Sequence, residues 1–376
     1  MISVDWAYWW SLPGPSSFVR SIVGDLRQGI NVVIALPRWG PPAGLGTAVR
    51  QELGDDDLLH CWRSLDLKQE DLQDPLDILP GRFVPDIDQY SLCDGSDLAC
   101  SKKFDGTLVW VSGAQGQSLK AWKTLLEKYA DAVRSRPVEQ RGLFCLLVEG
   151  VNPSVLPRKD IALSVRCWQG MVSELDMLAW LHHLVGRKLI ENATKRRLLI
   201  RLALEIVGYD PLIAVKAADK LDLENLGNPR EWLLDVAANR GWQAGMVPTW
   251  EEGACDEMEG KNRVHAAFLS LAQDAQKHID FLLWRAQVGV LFPLLEEARR
   301  EYLQKYESQL RVPHDTGQGS VIHDKEDLEL GHIHYQLYGR IDRQELRRLQ
   351  LLRDMRNALA HKEVLSSETL SEWFLP

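Results

Sequence analysis

The first half of the chain alternates two hydrophobic patterns. "SFVRSIVGDLRQG" (17–29) carries apolar residues at Phe18, Ile22, Val23 and Leu26, a helical spacing, with Gly29 as the stop. The next segment, "NVVIALP" (31–37), is a continuous β-branched run of the kind that forms a strand buried on both faces. Four more such runs predict strands: "LLHCWRSL" (58–65), "TLVWVSG" (107–113), "GLFCLLVEG" (142–150) and "IALSVRCW" (161–168). A helix pattern, "SLKAWKTLLEKYADAVRSR" (118–136), lies between two of them. Apolar strands separated by helices predict a doubly wound parallel α/β sheet, because parallel strands need crossovers and the crossover helices cover both faces.

From about residue 171 the strand signals stop. "ELDMLAWLHHLVGRKL", "ATKRRLLIRLALEIVG", "PLIAVKAADKL" and "NPREWLLDVAANRGW" are helix patterns broken by Gly and Pro. They predict an all-α region packed on the α/β part. After the acid-rich "PTWEEGACDEMEGKN" (248–262), a long helical segment is expected over 263–306. A polar loop, "RVPHDTGQGSVIHD", then leads to "DLELGHIHYQLYG" and a last helix, "RQELRRLQLLRDMRNALAHKEVL". The expected division is a P-loop-like α/β domain over 1–170, a helical lid or linker over 171–247 and an α-helical bundle over 248–376. No internal repeat is visible.

Charge narrows the partners. The 376-residue chain has a formal net charge of −9, so any nucleic-acid contact must come from a local basic surface. The six cysteines are scattered, without a CxxC pair or zinc spacing, which predicts reduced thiols and no metal site. The N-terminus lacks the basic flank and apolar core of a signal peptide. No apolar run approaches the roughly 20 residues of a membrane span. A cytoplasmic chain with no membrane partner is expected.

The loop after the first strand reads "LPRWGPPAGLGTAVRQEL" (36–53) and raises the question of a phosphate-binding loop. Such a loop, GxxxxGK[ST], uses backbone N–H groups, a Lys on the phosphates and a Ser/Thr on Mg²⁺. Aligned on Gly46-Thr47, the Lys is missing and the first glycine is Pro41. "TLVWVSG" also ends without the acid that would organise Mg²⁺. The order of parts over about 10–240 nonetheless resembles the AAA+/STAND group of P-loop ATPases. The resemblance implies a P-loop-like domain that does not hydrolyse ATP. Residual nucleotide contact would fall to Gly44, Gly46 and Thr47, and no cofactor is expected.

The segment "MRNALAHKEVL" near the end of the chain carries different chemistry. On a helix Asn357 and His361 are four apart and face the same way, and the long stem of Arg356 can bring its guanidinium toward them. A metal-independent ribonuclease needs such groups. An imidazole titrating near neutrality can take the 2′-OH proton or protonate the leaving 5′-oxygen. A guanidinium presents a planar fork to the charged phosphorane. One imidazole cannot easily hold both proton roles, so two copies across a dimer would supply them.

Arg356, four intervening residues and His361 resemble the Rx4–6H motif of HEPN domains, with a polar residue directly after the Arg. The likeness covers about 262–370. It implies an α-helical bundle that dimerises around a shared cleft. Catalytic Arg356 and His361 and an orienting Asn357 would cleave RNA to 2′,3′-cyclic phosphate ends, in bacterial anti-phage defence or toxin systems with other defence proteins as partners. Arg343, Arg347, Arg348 and Arg353 would form a basic strip for RNA phosphates. The plainer alternatives are a His361 that complements the helix dipole and a bundle that serves only to dimerise or dock a larger complex. Arg285, among apolar neighbours, needs a partner, and Glu329 is one candidate. His332 and His334, two apart, would not share a metal, and His182-His183 are assigned no chemistry.

Overall fold

The computed structural model describes residues 4–54, 61–70, 74–83, 94–186, 190, 192–316 and 319–374. Five parallel strands, β1 (Asn31–Leu36), β2 (Cys61–Asp66), β3 (Thr107–Ser112), β4 (Leu143–Glu149) and β5 (Leu163–Cys167), form one sheet in the order β2-β3-β4-β1-β5. All six residues of β1 are buried, as its uninterrupted apolar run requires, while the edge strands β2 and β5 are half-exposed. β1 pairs on both sides, Val33 opposite Leu146 of β4 and opposite Val165 of β5. Of the second predicted strand, residues 58–60 lie outside the described ones, and pairing begins at Cys61.

Two polar groups fix how β1 enters the sheet. The fully buried Asn31 amide donates to the Ala162 carbonyl at 2.9 Å and accepts from the Phe144 N–H at 2.9 Å, joining the starts of β4 and β5. The helix Pro13–Arg27 packs on β1 and β5. Its Asp25 receives Arg166 of β5 in a two-pronged ion pair, both contacts 2.6 Å, and the Ser164 hydroxyl as well.

The second half is not free of strands. The acid-rich stretch and the start of the expected helical segment, where no strand was expected, form a hairpin of β6 (Cys255–Met258) and β7 (Lys261–Val264). Its two-residue turn is Glu259-Gly260, both with positive φ (52° and 70°), a backbone that twists with the strands it joins. The acidic spelling hid it, because Asp256 points inward and is 3% exposed. Two-residue strands also pair at His314–Asp315 and Val321–Ile322 within the loop before the last helices.

The expected long helix starts later than predicted, at Ala275, after the single turn Ala266–Leu269, and runs to Lys305. It is the one helix among the described residues long and apolar enough to cross a bilayer by length and composition, more than the sequence reading allowed. Here it lies along the helix Ala193–Val207, and 39% of its most apolar window is buried inside the protein. The helices Leu330–Leu337 and Arg343–Ala360 pack on it, and a final helix, Ser367–Trp373, was not anticipated. One apolar core runs continuously from Val33 in the sheet through Leu202 to Leu349 and Leu359.

Asp256 ties the hairpin to the end of the sheet: its Oδ1 accepts from the N–H groups of Gly170 (3.0 Å) and Glu257 (2.7 Å). Burial raises its pKa from 3.8 to about 6 despite those hydrogen bonds. The fold thus holds this proton more tightly than the unfolded chain. The contribution is complete below about pH 4 and is lost as pH climbs through about 6, on the order of 3 kcal/mol in all. Asp256→Asn keeps the accepting oxygen and should remove most of this fall. Urea unfolding at a series of pH values checks it, and an unchanged profile would assign the dependence elsewhere.

Candidate functional site

The helix Arg343–Ala360 forms because Leu349, Leu352, Met355 and Leu359 recur on one face, all buried, and because the Asp342 carboxylate caps the N–H groups of Gln344 and Glu345. Its end is equally defined. Glu363 N–H reaches back to the Ala358 carbonyl at 2.8 Å and Lys362 N–H to Leu359 at 3.2 Å, with Lys362 left-handed (φ 64°) where glycine is usual. His361 is the residue that caps the helix before that reversal.

Two side chains of the long helix hold this end in place. Trp284 donates its indole N–H to the Leu359 carbonyl at 2.8 Å. Gln287, fully buried, donates its amide to the Leu365 carbonyl at 2.9 Å and accepts the Leu365 N–H at 2.8 Å. The long helix therefore holds both the end of the helix that carries Arg356 and the segment that follows His361.

The structure divides the predicted trio. Asn357 and His361 are exposed, and neither side chain has a hydrogen bond or ion pair among the described residues. Arg356 is half-buried, and its Nη2 lies 2.9 Å from the Glu329 carboxylate. Glu329 was expected against Arg285, and that expectation is corrected: Arg285 meets Glu205 instead. Glu329 heads the helix Leu330–Leu337, where its N–H donates to Nδ1 of His332 at 3.2 Å.

The arginine therefore sits in a cluster that the sequence reading missed. The His332 ring lies 5.3 Å from that of His314 on the loop strand, and the His314 ring 6.0 Å from that of Tyr335. Burial, His314 and Arg356 together push the pKa of His332 below its usual value, against the pull of Glu329. A neutral imidazole whose Nδ1 accepts the Glu329 N–H must carry its proton on Nε2, so it can donate there. Tyr335 is 74% exposed and offers a flat face beside this pair. Among the described residues no three His, Cys, Asp or Glu side chains are gathered to hold a metal. The segment "GHIHYQLYG" carries His332 and Tyr335, but their partner His314 is 18 residues before His332, so spacing within the segment does not reveal the cluster.

Of the expected basic strip, Arg343, Arg347 and Arg348 are exposed, while Arg353 is held by its neighbour Asp354 through Nε (2.9 Å) and Nη2 (2.8 Å). Glu345, on the same helix, turns away to Lys305 at 2.6 Å and the Tyr302 hydroxyl at 2.9 Å. It leaves those three arginines without an ion-pair partner among the described residues.

At the other end of the chain, Gly44, Gly46 and Thr47 open the helix Leu45–Leu53, with Gly44 left-handed at its cap (φ 101°). Indoles explain both glycines. A Cβ on Gly46 would lie 3.1 Å from the Trp110 ring, and one on Gly44 3.2 Å from Trp10 Nε1, which donates to the Ala43 carbonyl. The loop before them contains Pro41 and Pro42, which have no N–H to offer a phosphate. It is held from the helical region: Arg38 pairs with Glu252 at 3.0 Å and Arg240 stacks over Trp39. Thr47 is exposed.

Replacing Gln287 by Leu would strand the buried N–H and C=O of Leu365. A loss of about 2–4 kcal/mol is expected from urea unfolding. A loss below about 1 kcal/mol would show that another partner satisfies that peptide.

No protein-family model matches the chain, and no curated protein matches it.

Proposed function

We propose that the C-terminal helical unit is a metal-independent endoribonuclease of the HEPN type, joined to a P-loop-like domain without ATPase chemistry and acting in bacterial defence or as a toxin. The observation that supports it best is a half-buried guanidinium, Arg356, with an imidazole, His332, beside it and an exposed imidazole, His361, at the end of the same helix. In this reading Arg356 binds the non-bridging phosphate oxygens, where negative charge grows as the 2′-oxygen attacks. His361 transfers the proton, and its twin from a second chain serves the opposite oxygen. Asn357, one turn before His361, orients it or the ribose. Arg343, Arg347 and Arg348 hold the flanking phosphates, and exposed Tyr335 stacks on a base.

The Arg356–Glu329 ion pair favours a second reading, a non-catalytic dimerising scaffold, because a guanidinium held by a carboxylate is partly neutralised. The pair is partly solvated and costs little to exchange for a phosphate, about 1 kcal/mol or less. That keeps the nuclease reading first.

The test is incubation of the full chain with mixed RNAs in EDTA, followed by mapping of the ends. Wild type should leave 2′,3′-cyclic phosphates. His361→Ala and Arg356→Ala should each lose at least ~100-fold in rate, and Glu329→Gln should keep or raise it. Equal cleavage by wild type and both alanine variants would exclude this site. A folded, dimeric wild type that cleaves no RNA would favour the scaffold.

A further inference from the structure

A second gathering of charge lies where the helix Ala193–Val207, the β6–β7 hairpin and the first turns of the long helix meet. At its floor is Glu205, 2% exposed. Three guanidiniums converge on this one carboxylate: Arg263 Nη2 at 2.8 Å, Arg201 Nη2 at 3.2 Å, and Arg285 in closer contact still. Arg201 is shared with Glu174, whose N–H in turn donates to the Glu259 carboxylate at 3.1 Å. Lys261, exposed on the hairpin, has no ion-pair partner among the described residues.

An internal ion pair needs one cation for one carboxylate, and this arrangement has more. Arg201, Arg263, Arg285 and Lys261 make four cations against the three carboxylates Glu174, Glu205 and Glu259, in a chain whose net charge is −9. The open side carries Arg285, Arg201 and Lys261 beside Glu174 and Glu259, an excess of one cation, whereas Glu205 is sealed beneath them. These groups line a cavity of ≈ 400 Å³, within the range of small-ligand sites. Burial and the neighbouring charge of Arg285 hold the Arg263 guanidinium below its usual pKa, so the cations crowd one another.

We propose that this cavity binds a small phosphate-bearing anion, gripped by Arg285, Arg263 and Lys261, with Glu205 as a positioning residue that aims the guanidiniums. A planar carboxylate is satisfied by one arginine fork. Cations arriving from the hairpin and from the long helix suit a tetrahedral oxyanion with several free oxygens. The site does not depend on the ribonuclease reading. It does lie next to the candidate nuclease's support, since Arg285 follows Trp284, whose indole holds the Leu359 carbonyl in the last turn of the motif helix.

The experiment is isothermal titration of the full chain with pyrophosphate and with inorganic phosphate at constant ionic strength, chloride serving as the control. Saturable binding with a Kd below ~1 mM is expected for at least one probe. Lys261→Ala, which disturbs no ion pair, should weaken it several-fold, and Arg285→Gln, which leaves Glu205 two arginines, at least ~10-fold. The same ligands should raise the thermal midpoint of wild type more than that of either variant. No saturable heat with either probe, or affinities equal across wild type and Lys261→Ala, would overturn the proposal. Should Arg285→Gln fail to fold, Lys261→Ala decides alone.

Discussion

The C-terminal half of this protein depends on one buried amide. Gln287, fully buried, meets both backbone groups of Leu365, so neither the long helix nor the segment after Ala360 can slide without stranding two or more hydrogen-bonding groups. Three residues earlier, Trp284 holds the Leu359 carbonyl, so two anchors one turn apart on the long helix fix the end of the helix Arg343–Ala360 and the segment after it. This is why a chain reversal with an unfavourable left-handed lysine persists at 362. The segment that follows His361 is held by a buried polar interaction.

A related substitution of packing for chemistry runs through the α/β half. The loop after β1 lies at the carboxyl end of a parallel strand, the usual place for a ligand in such sheets. Gly44 and Gly46 instead lie against the indoles of Trp10 and Trp110, and the prolines remove donors. Arg38 and Trp39 fasten the loop to the helical region through Glu252 and Arg240. The backbone at Gly44 and Gly46 thus packs against the protein's own indoles.

The sheet was legible because burial on both faces leaves an unbroken apolar run, and four of the five strands lie wholly within the predicted segments. The hairpin was not legible. A four-residue strand with an inward Asp256 reads as an acidic linker, and only tertiary contacts supply the N–H groups that satisfy it. The site was legible in part for a similar reason. Arg356, Asn357 and His361 are local in sequence, and helical spacing suffices to relate them. The cluster of Glu329, His332 and His314 is assembled from two separate segments, and the actual partner of Arg285, Glu205, lies 80 residues away. Spacing within one segment carries no information about either.

The two clusters of arginine differ in a way that bears on what each can do. Glu205 is sealed, so moving it away from its guanidiniums would expose an uncompensated buried charge. That pair is a fixed frame, and a ligand must add to it. Glu329 is 51% exposed on its side chain, and water can replace Arg356 when the guanidinium turns elsewhere. Its hold is that of a screened surface pair, reversible and sensitive to salt. The first arrangement suits a site that binds without rearranging, whereas the second leaves a guanidinium that a competing anion can draw away. On these grounds the exchangeable charge belongs to the motif helix and the permanent one to the cavity above Glu205.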